Sequence, residues 1–166
     1  MLRYRFLSLL ICIFILAASA LAQKTMPESE VHLSPEEKAL LQLTNEARKK
    51  EGLPEVKVNA KLMKAARDHS ANMAKHEKMA HELDDKKPAD RLKDAGYMFG
   101  HLGENVAYGQ PTAVEAMETW MKAEDHRANI LGKDYVDIGL GAAKSAQGTM
   151  YWTEVLARPH KPKPAP

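Results

Sequence analysis

Apolar side chains recur with a helical period in the first half of the chain. They are spaced three and four positions apart from Leu40 to Ala47 and again from Leu62 to Met73, which places each set on one face of a helix. A Ser-Pro-Glu-Glu motif beginning at Ser34 combines a hydroxyl N-cap, a proline at the first helical position and an acid at the third. We therefore predict a helix from Ser34 to about Glu51 and a second helix capped by Asn59.

The period changes in the second half of the chain. Threonine and glycine residues mark the ends of shorter helical segments, and alternating β-branched and aromatic residues then indicate strands around a turn near Gly148. The predicted elements are helices over 88–95, 112–121 and 125–131, and strands over 103–107, 135–140 and 150–156. Helices followed by strands predict an α+β fold, with helices packed on an antiparallel sheet whose first strand is 103–107.

The N-terminus has the organisation of a secretory signal peptide. Arg3 and Arg5 precede an apolar run that ends in the small-residue sequence Ala-Leu-Ala at Ala22. The run of about 15 residues is shorter than the roughly 20 that a spanning helix needs. We predict cleavage after Ala22, with an uncleaved N-terminal anchor as the alternative. The expected organisation is a signal peptide at 1–22, a flexible lead at 23–33, one domain at 34–158 and a disordered proline-rich tail at 159–166.

Cleavage changes the charge and the cysteine content. The whole chain has 24 basic and 22 acidic residues, and removing Arg3 and Arg5 leaves 22 of each. Because no basic excess remains, nucleic acid is not an expected partner. The single cysteine, Cys12, also lies in the signal peptide. The sequence therefore predicts a disulfide-free, monomeric domain that is periplasmic or extracellular and not inserted in the membrane.

Several histidines can be assigned without invoking a site. His76 and His81 enclose a sequence that resembles the zinc-peptidase motif, but they are five positions apart, or about 140° around a helix. We therefore reject that motif. His69 lies on the apolar face of the second helix and is expected to be a core histidine with a hydrogen-bond partner. His32 and His160 fall in the predicted flexible ends.

Three residues are better candidates for chemistry. His81 follows the second helix in a segment without helical period, and loop positions at helix ends often carry sites. His126 lies in a polar cluster just before an apolar pair, although a solvated helix start capped by Asp125 explains the same pattern. Glu104 is a carboxylate at the start of an otherwise apolar strand, GENVA, and a buried carboxylate needs a polar or charged neighbour.

These segments together resemble the bacterial branch of the CAP superfamily, which includes cysteine-rich secretory proteins, antigen 5 and pathogenesis-related 1 proteins. The resemblance covers about residues 38–157 and rests on MAH at 79–81, DRLKDAGY at 90–97, GENVAYG at 103–109, HRANIL at 126–131 and YWTEV at 151–155. It implies an α-β-α sandwich with a central antiparallel sheet.

The resemblance also implies a site. The family's cleft carries two histidines and two acids that bind a divalent metal such as zinc in some members; His81, Glu104 and His126 match three of these four positions. Where the second acid is expected, this chain has Ala123, so Glu124 is an optional substitute. His101 is a candidate residue for the rim of the cleft, and Asn105 is expected to hydrogen-bond to nearby backbone groups. The candidate ligand-binding residues are Asn105, Glu124 and His101.

Three functions are compatible with this site. The first is a binding module for a small ligand, a lipid or a component of the cell envelope. The second is metal-assisted hydrolysis by His81, Glu104 and His126, because the sequence has no G-x-S-x-G motif and its cysteine lies in the signal peptide. The third is a purely structural polar network. The first is the prediction that the sequence favours.

Overall fold

The computed structural model describes residues 31–161 as five helices and four strands. The helices are α1 (Pro35–Lys50), α2 (Ala60–His76), α3 (Pro88–Asp94), α4 (Ala113–Lys122) and α5 (Glu124–Ile130). The strands are β1 (Lys57–Val58), β2 (Phe99–Tyr108), β3 (Asp137–Lys144) and β4 (Met150–Pro159). The predicted α+β class is confirmed.

One four-stranded sheet separates two layers of helices. The strand order is β1-β3-β4-β2, with β4 antiparallel to both of its neighbours. Helix α2 packs across β3 and β4, with α3 beside it, whereas α1, α4 and α5 pack against one another and form the second layer. Buried Trp120 and Trp152 belong to the core cluster on the α1 and α4 side. The arrangement is an α-β-α sandwich.

The helix starts follow the predicted caps with one exception. The Ser34 side chain accepts the backbone N–H of Glu37, whose carboxylate accepts the backbone N–H of Ser34. The side chains of Asn59 and Thr112 also accept backbone N–H groups at the starts of α2 and α4. The proposed cap of the last helix was wrong: α5 begins at Glu124, so Asp125 lies within its first turn.

The first strand of the sheet differs from the prediction. It is the two-residue β1 rather than 103–107, and it pairs in parallel with β3. The apolar residues Leu53, Val56 and Val58 indicate a short extended connection here, but two residues are too few for the pattern to identify a strand of the sheet. The predicted strands near the C-terminus are confirmed, and both extend further toward the C-terminus than expected.

The predicted lead and tail are only partly described. Residues 1–30 and 162–166, which include the predicted signal peptide, lie outside the described part of the chain. Of the predicted lead, Val31 and Leu33 are half-buried against the core, and the carbonyl of His32 accepts a hydrogen bond from Arg67. In residues 31–161, no helix has the length and apolar character needed to cross a membrane.

Candidate functional site

Glu104 is a buried carboxylate with three neighbours. Its side chain is 3% exposed, because β2 carries it beneath the segment that joins α2 to α3. One oxygen, Oε1, lies 3.0 Å from Nδ1 of His81, and the other, Oε2, accepts a hydrogen bond of 2.6 Å from Nη2 of Arg91. Nε2 of His69 is 4.0 Å from Oε1. Glu104 therefore joins two helices, a loop and the sheet.

His81 is held in place by the loop that follows α2. Helix α2 is capped at its C-terminus by Glu77, which adopts a left-handed conformation with φ of 52°. The loop then folds back through a tight turn at Asp84 and Asp85, both at positive φ. The His81 side chain is 52% exposed. Since a carboxylate only accepts, Nδ1–H of His81 donates to Glu104 and leaves Nε2 for a ligand.

Helix α5 brings His126 to the same region. Asn105 donates a hydrogen bond to the backbone carbonyl of His126, and Asn129 donates to the carbonyl of Glu104 and to Oδ1 of Asn105. These bonds join α5 to β2. Burial lowers the pKa of His126, the nearby His81 lowers it further, and Asp125 opposes both. These effects favour the uncharged form of the His126 ring, in which one nitrogen can accept a hydrogen bond.

His81 thus contacts Glu104 directly, and α5 places His126 near enough for His81 to influence its pKa; we call these three residues the central site. The three candidate ligand-binding residues, His101, Glu124 and Asn105, lie outside this group. His101 and Glu124 are exposed, near the start of β2 and at the first residue of α5. Asn105 is completely buried and its amide is used within the protein. Asn105 therefore has the structural role expected for it, and contact of these three with a ligand stays a prediction.

Sequence reasoning missed two contacts that support the central site. Arg91 is one of two buried residues of α3, and the only signal was an arginine next to the buried Leu92. His69 was correctly predicted as a core histidine: it is 1% exposed and donates from Nε2 to the carbonyl of Ala80 at 2.8 Å. This bond fixes the segment just before His81. The position of His69 beside Glu104 could not be inferred from the sequence.

A second buried acid lies behind the central site. Glu154 of β4 is inaccessible to solvent and accepts hydrogen bonds from Thr44 at 2.6 Å and from Asn105 at 2.9 Å. Burial raises the pKa of Glu154, and the bonds from Thr44 and Asn105 and the charge of Arg48 partly oppose the rise. Through Asn105, this acid is linked to the backbone of His126 and hence to α5.

The raised pKa predicts how Glu154→Gln alters stability. Between the pKa of the unfolded chain and the higher value in the folded protein, the folded state holds the additional proton, so stability falls as pH rises. The glutamine oxygen can accept from Asn105, and its NH2 group can donate to the Thr44 hydroxyl, which also accepts, so both contacts are kept without a titrating group. We expect Glu154→Gln to be more stable at pH 8 by on the order of 1 kcal/mol, with the difference shrinking toward pH 5.

Urea denaturation at several pH values measures this difference. The exposed Glu118, changed to Gln, provides the control and should show a flat difference. A Glu154→Gln variant whose loss of stability grows as pH rises would show that the folded protein needs the acid in its charged form, which would contradict the prediction.

The contacts of Glu104 do not fit a ready three-ligand metal centre. A divalent cation at His81, Glu104 and His126, as the resemblance implies, would need a carboxylate oxygen that already faces His81 or Arg91. Within residues 31–161, no group of three or more His, Cys, Asp or Glu side chains is arranged to hold a metal ion. His76 faces Asp84 at 3.5 Å, so the rejected peptidase motif does not converge either.

A cavity lies close to the central site without including it. It has a volume of about 540 Å³ between α2 and α3, and its wall includes His69 and Arg91 but not the three central residues. The exposed pairs Lys64–Asp68 and Lys86–Asp94 line its rim. The central site is instead reached from solvent through the exposed ring of His81.

Comparison with known proteins agrees with this architecture. The profile of the CAP family, the Cysteine-rich secretory protein family, matches residues 41–156. The uncharacterized protein YkwD of Bacillus subtilis (strain 168) is 34% identical over 140 residues, which cover 82% of this chain and 53% of YkwD. This chain therefore spans about half the length of that relative.

Two solved structures share the fold. An outer surface protein from Borrelia burgdorferi has a TM-score of 0.72 at 18% sequence identity, over 78% of this chain and 97% of that one. An extracellular protein containing a SCP domain from Bacillus anthracis str. Ames has a TM-score of 0.66 at 24% identity, over 78% of this chain and 45% of the other. At such identities, the likeness concerns the fold alone.

Proposed function

Because this chain belongs to the CAP family of cysteine-rich secretory proteins, we propose that it is a secreted binding module whose central site recognises a small ligand, a lipid or a component of the cell envelope. Two structural neighbours, an outer surface protein and an extracellular protein, support a location outside the cytoplasm. The predicted signal peptide supports the same location.

One observation carries the binding proposal: the exposed imidazole of His81 is fixed by the buried carboxylate of Glu104 at 3.0 Å. A side chain fixed before the ligand arrives loses little conformational entropy on binding. The free Nε2 can accept a hydrogen bond from a hydroxyl or amide group. His126, whose lowered pKa favours the uncharged ring, provides a second imidazole near that of His81.

Metal-assisted hydrolysis is the alternative. It requires a metal-bound water or a histidine acting as general base. His81 has the carboxylate partner that a general base needs, but Arg91 shares that carboxylate. We therefore favour binding, and a chelator distinguishes the two: EDTA should leave ligand binding unchanged, whereas it would abolish metal-assisted turnover of peptide or ester substrates.

Calorimetric titration with palmitate, ergosterol and muramyl dipeptide tests the binding proposal. We expect saturable binding of at least one probe, reduced about tenfold or more by His81→Ala because one good hydrogen bond is lost. His160→Ala is the matched control, since His160 is exposed near the end of the described chain, and should bind within about twofold of the natural protein. Equal affinity in the His81 and His160 variants would remove the central site from the binding role.

A further inference from the structure

We propose that Arg91 is the resident cation of the central site: it neutralises Glu104 where the family resemblance implies a divalent metal, so the site receives its ligand without one. This inference rests on the proposed binding function and specifies its chemistry. It concerns a residue that the sequence did not single out. The effect of Arg91 on metal affinity can be measured whichever organic ligand the protein takes.

Arg91 is held in place by two contacts. Its side chain is 8% exposed, and Nη2 lies 2.6 Å from Oε2 of Glu104. The other terminal nitrogen, Nη1, donates at 2.8 Å to the backbone carbonyl of Lys86, at the end of the tight turn after His81. A planar guanidinium fixed at both terminal nitrogens is already ordered before anything binds. The ion pair is therefore part of the folded protein.

The position of Arg91 opposes metal binding for two reasons. A buried carboxylate needs one compensating charge, and the guanidinium supplies it. A divalent cation placed on the same carboxylate would be repelled by the guanidinium a few ångströms away, and burial leaves that repulsion poorly screened. Glu104 is therefore a partner of Arg91 and His81 rather than a metal ligand.

The Arg91 pair also explains why His81 is oriented as it is. With Oε2 bonded to Arg91, Oε1 remains for Nδ1–H of His81. The arginine thus acts as a positioning residue for the histidine that meets the ligand. Removing the guanidinium frees Oε2 of Glu104 close to the ring of His81, and carboxylate oxygen and imidazole nitrogen are both zinc ligands.

Calorimetric titration with zinc alone tests the inference. Arg91→Gln should bind zinc about tenfold more tightly than the natural protein, or better, because Glu104 becomes available. Arg91→Lys retains the positive charge and should show no such gain. Arg127→Gln is the matched control: it removes an exposed arginine adjacent to His126 in sequence, and should change zinc affinity by less than about twofold.

Unchanged or weaker zinc binding by a folded Arg91→Gln protein would overturn the inference, and so would an equal gain in Arg127→Gln. The natural protein provides a test that does not depend on the variant folding. Nitrogen-edited NMR of arginine side chains should show the Arg91 signals unmoved at saturating zinc, whereas their displacement by zinc would refute the role. Failure of the organic-ligand titrations alone leaves both zinc results unaffected, so the two proposals fail separately.

Discussion

Gly139→Ala is expected to cost about 3 kcal/mol of unfolding free energy or more, at the upper end of the range for overpacked cores. A Cβ at this position of β3 would overlap the backbone carbonyl of Leu62 in α2. The obstacle is main chain, so no change of rotamer can relieve it. The whole domain is expected to be stable by only about 5–15 kcal/mol, and the substitution therefore removes a large share.

Urea denaturation monitored by circular dichroism measures the Gly139→Ala effect. Gly100→Ala is a matched control on β2, where an added Cβ would meet its nearest atom, the carbonyl oxygen of Pro159, at 3.6 Å, an ordinary contact. We expect the control to change stability by less than about 0.5 kcal/mol. Equal midpoints for the two variants would mean that α2 can move away from the sheet at little cost.

The close approach of α2 to β3 matters for the site as well as for stability. Gly141, two residues further along β3, would place a Cβ 2.8 Å from Oγ of Ser70 and in conflict with the carbonyl of Ala66. Two glycines on one face thus let the helix lie directly on the strand. The same helix ends just before the loop of His81, so its distance from the sheet fixes how far His81 lies from Glu104.

Local features of the fold could be predicted because they depend on neighbours in sequence. The Ser34 capping box, the Asn59 cap and the hairpin around Gly148 are formed within a few residues, and each was confirmed. The segment of β1 was predicted only as a short extended connection, because its two residues pair with residues near 137, which no local pattern encodes. The cap of α5 was misassigned because Ala123 provides no side-chain signal.

The central site could be predicted only in part, for the same reason. His81, Glu104 and His126 were identified as candidates from polar residues in unusual local settings, and from the family resemblance. Arg91 looked like an ordinary helix arginine, because its contact with Glu104 depends on how α3 lies over β2. Glu154 was not singled out from the sequence, because an acid in a strand can face solvent and its partner Thr44 is 110 positions away.

Removing the buried charge of Arg48 should lower the free energy of unfolding at least as much as Gly139→Ala does. Arg48 is inaccessible to solvent and donates to four backbone carbonyls, those of Pro54, Ile130, Gly132 and Tyr135. Two of these lie at the end of α5 and just after it. Burial lowers the pKa of Arg48, and the charge of Glu154 opposes the fall.

Arg48→Met is expected to cost about 4 kcal/mol, because it leaves buried carbonyls without donors and Glu154 without its nearby positive charge. Urea denaturation gives the value, and Lys49→Met on the exposed face of α1 is the control. Hydrogen exchange should accelerate more in α5, which carries His126, than in α2. Unchanged exchange in α5 would show that Arg48 does not fix that helix.

A double-mutant cycle separates the two parts of the Arg48 effect. In the Glu154→Gln background the charge interaction is already gone, so Arg48→Met should then lose only the hydrogen bonds to the carbonyls. We expect a coupling energy of about 1 kcal/mol or more between the two positions. Strict additivity would instead mean that the whole loss of stability comes from the unpaired carbonyls. A charged Glu154 interacts with Arg48 and so produces coupling, whereas a protonated Glu154 does not. The cycle performed at pH 5 and pH 8 therefore reports the protonation state of Glu154 directly: the coupling should grow with pH as the acid ionises.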